Sequence, residues 1–229
     1  KQNILDWIRD KNPDLIVVYS MPFLLKEEVF SFPSLGTINL HTALLPKYRG
    51  AVPIFWTYYY FDMDTGVTVH YIDKGEDTGD IVLQKEVKVD FGERYYELRS
   101  KFEEIGAVAI LEAINNIESG KANRIKQSID SPTPRAIRVK REYYIELIDW
   151  NWNLERIWHF FRGTENYLKH ILIKNKFISK IFRIEIGKME IVGHNFVIGS
   201  LHKDVNGKFI ACKGGKVYYK FKLWNPEKK

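Results

Sequence analysis

Residues 14–41 read as strand, loop, helix, strand, and that order restricts the fold more than any other feature of the sequence. Residues 14–19, DLIVVY, form a run apolar on both faces, as in strands buried within parallel sheets. Residues 20–25 form a loop and residues 26–30 a short helix, and residues 36–40 alternate like the end of a second strand. A strand–helix–strand unit implies parallel pairing with a right-handed crossover, and ligands in such sheets bind outside the carboxyl ends of the strands. The loop from Ser20 therefore belongs beside the strand end that carries Asn39 and His41.

Asn39 and His41 stand two apart, so on a strand both side chains point to the same face. An amide and an imidazole facing a loop are placed to do chemistry. The same residues can equally cap a turn and fill a core, and taken alone they favour that plainer reading. Pro53 can open a helix as its first residue. Residues 54–61 are crowded with aromatics, among them Phe55, Trp56, Tyr58 and Tyr60, which reads first as packing and second as a platform for a base or sugar. Two further strands are expected at 66–72 and 82–89, with a loop around Asp77 between them; His70, on the first, reads as structural. A long helix is expected over 93–119, with Leu98, Phe102, Ile105, Val108, Leu111 and Ile114 as its buried stripe and Gly120 ending it.

The stretch 39–50, NLHTALLPKYRG, and the stretch 73–81, DKGEDTGDI, together resemble the 10-formyltetrahydrofolate-dependent formyltransferase superfamily. Its pattern is Asn-x-His, then Ser-Leu-Leu-Pro and Arg-Gly, then Asp-Thr-Gly-Asp. Ala43 replaces the serine, the rest is present, and the interval of 38 positions from Asn39 to Asp77 is the family's own. The resemblance covers roughly residues 4–152 well and the remainder loosely. It implies a Rossmann-like parallel-sheet α/β core whose N-terminal strands are missing from this sequence, since only one helix, near 2–10 with Ile4, Leu5 and Ile8 on one face, precedes the first strand. It implies a catalytic domain over 1–125, a polar linker over 126–147 around Ser131-Pro-Thr-Pro134, and a small β-rich domain over 148–229, OB-like in several family members.

The resemblance also implies roles. Asn39 would donate to the oxyanion that forms when an amine attacks a formyl carbon, His41 would take the amine proton, and Asp77 would orient His41. Pro22, Phe23, Leu24 and Leu25 would line the pocket of 10-formyltetrahydrofolate, the co-substrate, with Asp73, Gly75 and Glu76 contributing from the second loop. No covalent intermediate and no metal are required. No P-loop, dinucleotide fingerprint or zinc-spaced histidine pair is present.

Downstream, Asn153 is a candidate cap for a helix over 154–161, and short strands are expected at 181–186, 196–201, 208–212 and 216–223, with turns at Asn206-Gly207 and Gly214-Gly215. The single cysteine, Cys212, excludes a disulfide framework and a cysteine-based zinc site within the chain, and no apolar run reaches membrane-span length. Together these fit a cytoplasmic protein with no membrane partner.

Charge bears on the acceptor. Residues 1–130 hold 15 Lys and Arg against 20 Asp and Glu, a net of −5; residues 131–229 hold 20 against 9, a net of +11. The basic half suits a polyanion such as tRNA, the phosphates of a nucleotide-sugar, or simply a solvated surface. Glu76 and Ile81 flank the Asp-Thr-Gly-Asp motif where tRNA enzymes of the family favour Leu and Met, and Gly163 to Tyr167 stand where those enzymes carry a Pro-Trp-Pro-like segment. The expected acceptor is therefore a nucleotide-linked amino sugar, dTDP-linked or similar, as in lipopolysaccharide biosynthesis. The alternative is methionyl-tRNA, supported by Ile148-Asp149-Trp150 and the +11 charge. Formyl-folate hydrolysis and a non-catalytic nucleic-acid-binding protein remain further alternatives, and a homodimer stays open.

Overall fold

The computed structural model describes residues 4–172 and 182–223. The chain divides into two compact units, one made of Lys1–Thr57, Asp62–Val89 and Glu97–Arg138, the other of Tyr58–Phe61, Asp90–Tyr96 and Val139–Lys229.

The first unit holds a four-stranded sheet of β1 (Ile16–Tyr19), β2 (Thr37–His41), β3 (Asp64–Tyr71) and β4 (Ile81–Lys88), in that order across the sheet. β1 and β2 pair in parallel, Tyr19 opposite Leu40, as the strand–helix–strand order requires. β3 and β4 then add antiparallel, so the sheet is mixed, and Asn39 falls opposite His70 and His41 opposite Thr68. β3 is buried from Thr65 to Tyr71 because it lies inside the sheet.

β1 departs from expectation. Its apolar run suggested burial on both faces, yet only Val18 is buried, and Val17 and Tyr19 are 41% and 44% exposed. β1 is an edge of the described sheet, so no neighbour strand covers its far side. Helix α1 (Ile4–Lys11) buries Leu5 and Ile8 against Val29 of α2 (Glu27–Phe30), while Ile4 points outward.

Helix α3 (Pro53–Tyr59) starts at its proline, where the absent N–H costs nothing. Helix α4 (Tyr95–Glu118) keeps Leu98 and Phe102 in its buried face but continues through Gly106, Ala109, Ala113 and Ile117. Val108 and Leu111, expected inside, are 57% and 63% exposed. Small residues replace large ones because the helix lies close to the sheet: a Cβ on Gly106 would stand 2.6 Å from Leu40 Cδ2. A pattern read from large apolar residues alone rotates the stripe toward solvent.

In the second unit, α5 (Leu154–Gly163) is capped by Asn153, whose side chain accepts from the Arg156 N–H. Its inner face carries Leu154, Ile157, Phe160 and Phe161. α6 (Glu165–Leu172) follows. An antiparallel sheet of β5 (Phe182–Ile191), β6 (Leu201–Asp204), β7 (Gly207–Cys212) and β8 (Gly215–Leu223) runs in the order β5-β8-β7-β6. Val205-Asn206 and Lys213-Gly214 make its two turns, each one residue earlier than expected, with Gly214 at positive φ in the second and Gly207, also at positive φ, opening β7. Residue 181, an expected strand start, lies outside the described residues. The strand expected at 196–201 does not form. Gly199, at φ +83°, bends the chain, and Ser200 N–H closes a turn on the Val197 carbonyl, so β6 starts only at Leu201. Among the described residues, no helix is long and apolar enough to cross a membrane.

Candidate active site

Asn39 and His41 sit at the carboxyl end of β2, and Asp77 in the loop between β3 and β4 reaches both neighbourhoods. His41 is 5% exposed. Its Nε2 lies 3.0 Å from the Tyr48 carbonyl, which can only accept, so Nε2 carries the proton. In the neutral ring Nδ1 is then a lone pair, 3.5 Å from Asp77 Oδ2. Two acceptors face each other, a place ready for a proton. Burial lowers the pKa of His41, against the raising pull of Asp77 and helped by His70. The ring is thus neutral and able to accept, and the imidazolium it would form is held by a carbonyl at one nitrogen and a carboxylate at the other.

Asp77 is arranged to stay charged. Burial pushes its carboxyl up, but His70 and His41, which face it as donors once protonated, and the Gly50 N–H, which donates to Oδ2 at 2.9 Å, together hold it at about 2. The residue adopts φ +55°, a left-handed conformation uncommon outside glycine. Gly79 is required two residues on, because a Cβ there would lie 1.9 Å from the Tyr71 carbonyl oxygen. Asp73 Oδ1 accepts from the Gly75 N–H and the Thr78 hydroxyl, and this closes the turn.

The structure also brings in His70, which the sequence suggested was structural. Its Nδ1 donates to the Tyr71 carbonyl at 2.8 Å, so in the neutral ring Nε2 accepts, and Asn39 Nδ2 lies 3.1 Å away. That contact fixes the Asn39 amide and leaves its second N–H for another acceptor. His70 Nε2 is also 3.5 Å from Asp77 Oδ1. The signal that could have found it is register: an antiparallel partner of β2 places His70 opposite Asn39.

The loop after β2 is anchored by Thr68, whose hydroxyl donates to the Ala43 carbonyl and accepts from the Leu45 N–H. Leu45-Pro46 is a cis peptide. Of the residues expected to line a folate pocket, Phe23 and Leu24 are 74% and 68% exposed in the loop after β1, and Pro22 is exposed as well. Leu25 instead packs against the cluster of Leu5, Ile8 and Val29. Glu76 pairs with Arg135. The aromatic segment is no platform at Phe55, Trp56 or Tyr58, which are all buried; Tyr60 is 39% exposed. Among the described residues, no cluster of three His, Cys, Asp or Glu is placed to hold a metal.

The sequence pattern of the formyl transferase family matches residues 1–114. A methionyl-tRNA formyltransferase from Acetivibrio thermocellus is 32% identical over 214 residues, covering 93% of this chain and 67% of its own length. The chain belongs to the formyl transferase family. Another relative, the methionyl-tRNA formyltransferase of Clostridioides difficile, is 35% identical over 185 residues, 81% of this chain and 59% of its own. The chain spans between about half and two thirds of the length of the curated relatives it matches first. Among solved structures it is similar to a formyltransferase from Anoxybacillus kamchatkensis in complex with UDP-4,6-dideoxy-4-formamido-L-AltNAc and tetrahydrofolate. That match has a TM-score of 0.53 at 27% identity and covers 64% of this chain and 76% of the other.

Proposed function

We propose that this chain transfers a formyl group from 10-formyltetrahydrofolate to the primary amine of a nucleotide-linked amino sugar. The observation that carries the reaction is the meeting of Asn39, His41 and Asp77 at one end of the sheet, with a lone pair on His41 Nδ1 beside a charged carboxylate. A neutral amine attacks the formyl carbon. The free N–H of Asn39 donates to the developing oxyanion, a contribution of about 3 kcal/mol when preorganised. His41 Nδ1 takes the amine proton, and Asp77 stabilises the imidazolium. The C–N bond to the folate breaks, and the proton returns to the leaving nitrogen through His41 or water. Phe23 and Leu24, exposed and consecutive in the loop after β1, suit the face of a flat ring system and would hold the folate.

The amino sugar is supported by Glu76 and Ile81 flanking the motif, and by the formamido sugar nucleotide in the Anoxybacillus structure. On this reading the product is a formamido sugar nucleotide made in the cytoplasm for surface polysaccharide such as lipopolysaccharide. Methionyl-tRNA is the second reading, favoured by the 30–40% identity to curated methionyl-tRNA formyltransferases. The deciding experiment supplies 10-formyltetrahydrofolate with UDP- and dTDP-linked amino sugars or with methionyl-tRNA and follows the folate product across a salt series. A pyrophosphate acceptor gives turnover with a shallow salt dependence. Efficient formylation of methionyl-tRNA with a steep log–log slope, and none of any amino sugar, replaces the first reading with the second.

A further inference from the structure

Residues 125–137 do more than connect. Ile125 bridges Ile81, the Ser131 hydroxyl donates to the Pro46 carbonyl, and Thr133 Oγ1 accepts from the Tyr48 N–H. Ala136 donates to the Arg49 carbonyl and accepts from the Val52 N–H. The segment is a strap across both site loops, the one after β2 and the one that carries Asp77.

At its centre stands Gln127. One amide nitrogen, Nε2, donates to two carbonyls of the Asp77 loop, Asp77 O at 2.9 Å and Gly79 O at 2.7 Å. Its oxygen accepts from Arg49 Nε at 3.2 Å and Nη2 at 2.8 Å. Arg49 is itself fixed, donating to the Ser128 and Ile129 carbonyls. Chemistry sets the amide's orientation: turned over, it would press NH2 against a guanidinium, which cannot accept, and an oxygen against two carbonyls. Gln127 therefore uses both hydrogens and its oxygen in one clamp between Arg49 and the Asp77 backbone. The residue after Arg49 is Gly50, whose N–H donates to the Asp77 carboxylate. The clamp thus holds both the backbone of Asp77 and the donor that aims its side chain.

We propose that Gln127 is a positioning residue for formyl transfer: through its paired bonds to Asp77 O and Gly79 O it keeps the Asp77 carboxylate between His41 and His70. This rests on the reading that Asp77 serves the reaction. A left-handed residue outside glycine is strained and persists only where its surroundings determine it. Gln127 supplies that determination from 50 residues away.

The substitution that isolates the role is Gln127→Glu. A carboxylate keeps, and strengthens, the pair with Arg49 but offers only oxygens to the two carbonyls, so the anchor survives and the grip on Asp77 is lost. Two measurements on the full chain test it beside Gln127→Ala and Asp77→Asn. The first is the titration of His41 by histidine NMR, the charged or titratable groups that act on this ring being Asp77, His70 and Glu76. The expected result is a His41 midpoint lowered in Gln127→Glu and lowered further in Asp77→Asn, because the carboxylate that supports the imidazolium is displaced or gone. The second is turnover of the acceptor identified in the screen above, with kcat in both Gln127 variants reduced about tenfold, KM for 10-formyltetrahydrofolate within about threefold of the parent, and the acid limb of the pH profile moved down. If Asp77→Asn alters His41 and abolishes turnover while both Gln127 variants match the parent in midpoint and kcat, losing only thermal stability, Gln127 is a structural strap residue and the proposal falls. If Asp77→Asn also leaves both readouts unchanged, the reading of the site falls with it.

Discussion

Two buried histidines, one in each unit, have the same address and different prospects. His41 and His159 are both nearly inaccessible, and burial lowers the pKa of both. His159 accepts from the Gly92 N–H at Nδ1 and is surrounded by Phe61, Tyr58 and Phe91, with ring centroids 5.2, 5.0 and 5.9 Å away. Its Nε2 therefore carries the proton and has no hydrogen-bond partner among the described residues. His41 has the opposite arrangement: a carbonyl takes its N–H and the other nitrogen faces a carboxylate. Burial makes an imidazole neutral, but only a charged neighbour on the lone-pair side makes it a useful base. A lone histidine on an apolar face is a packing residue until that neighbour is found.

The largest effect should come from removing that neighbour. Asp77→Asn or His41→Asn is expected to lower kcat by about a hundredfold or more with the circular-dichroism spectrum retained. Full activity, or an unfolded variant, would put His41 in the same class as His159.

The next test acts on the other histidine. His159 titrates at about 4 when folded against an ordinary 6.5, so folding favours its neutral form. The stability this contributes is complete above pH 6.5 and is lost as pH falls from 6.5 to 4, on the order of 3 kcal/mol. His41, lowered in the same direction, adds to that window. His159→Asn retains an acceptor for Gly92 but cannot titrate. Its melting temperature should therefore depend less on pH between 6.5 and 4 than that of the parent, with kcat at neutral pH unchanged. Below that window Asp77, held at about 2 against 3.8, takes over: its contribution is present above 3.8 and lost toward 2, and only Asp77→Asn should flatten that part. A His159→Asn melting curve parallel to the parent's would show that its aromatic surroundings do not set its charge.

A smaller effect belongs to His70. His70→Phe leaves the Asn39 amide without the acceptor that orients it, and a drop in kcat of roughly tenfold is expected, with KM for 10-formyltetrahydrofolate little changed. Unchanged kcat would return His70 to the structural role its sequence suggested.

These residues also mark where the sequence could be read and where it could not. The convergence of Asn39, His41 and Asp77 was legible because two motifs stood in register, and Pro53, Asn153 and the turn glycines because each solves a local problem of backbone geometry. His70 was not, because its role depends on which strand pairs with β2. Val108 and Leu111 misled because close packing at Gly106 selects small residues, and a hydrophobic count looks for large ones. Val17 and Tyr19 read as core because nothing in four apolar residues says whether another strand follows at their side. Gln127 reads in sequence as part of a polar linker, since its partners lie 50 and 78 residues away in the chain.

Those separations have a consequence in time. During synthesis β1 to β4 and all of α4 emerge before residue 120, and the pairing of β3 with β4 needs only local chain. The two loops, however, are pinned by residues 125–137, so the carboxylate can be aimed only after that segment has left the ribosome and closed a loop of some 50 to 85 residues. The sheet is an early event and the site a late one, and a nascent chain holding every residue of the motif would still lack the clamp that aims Asp77.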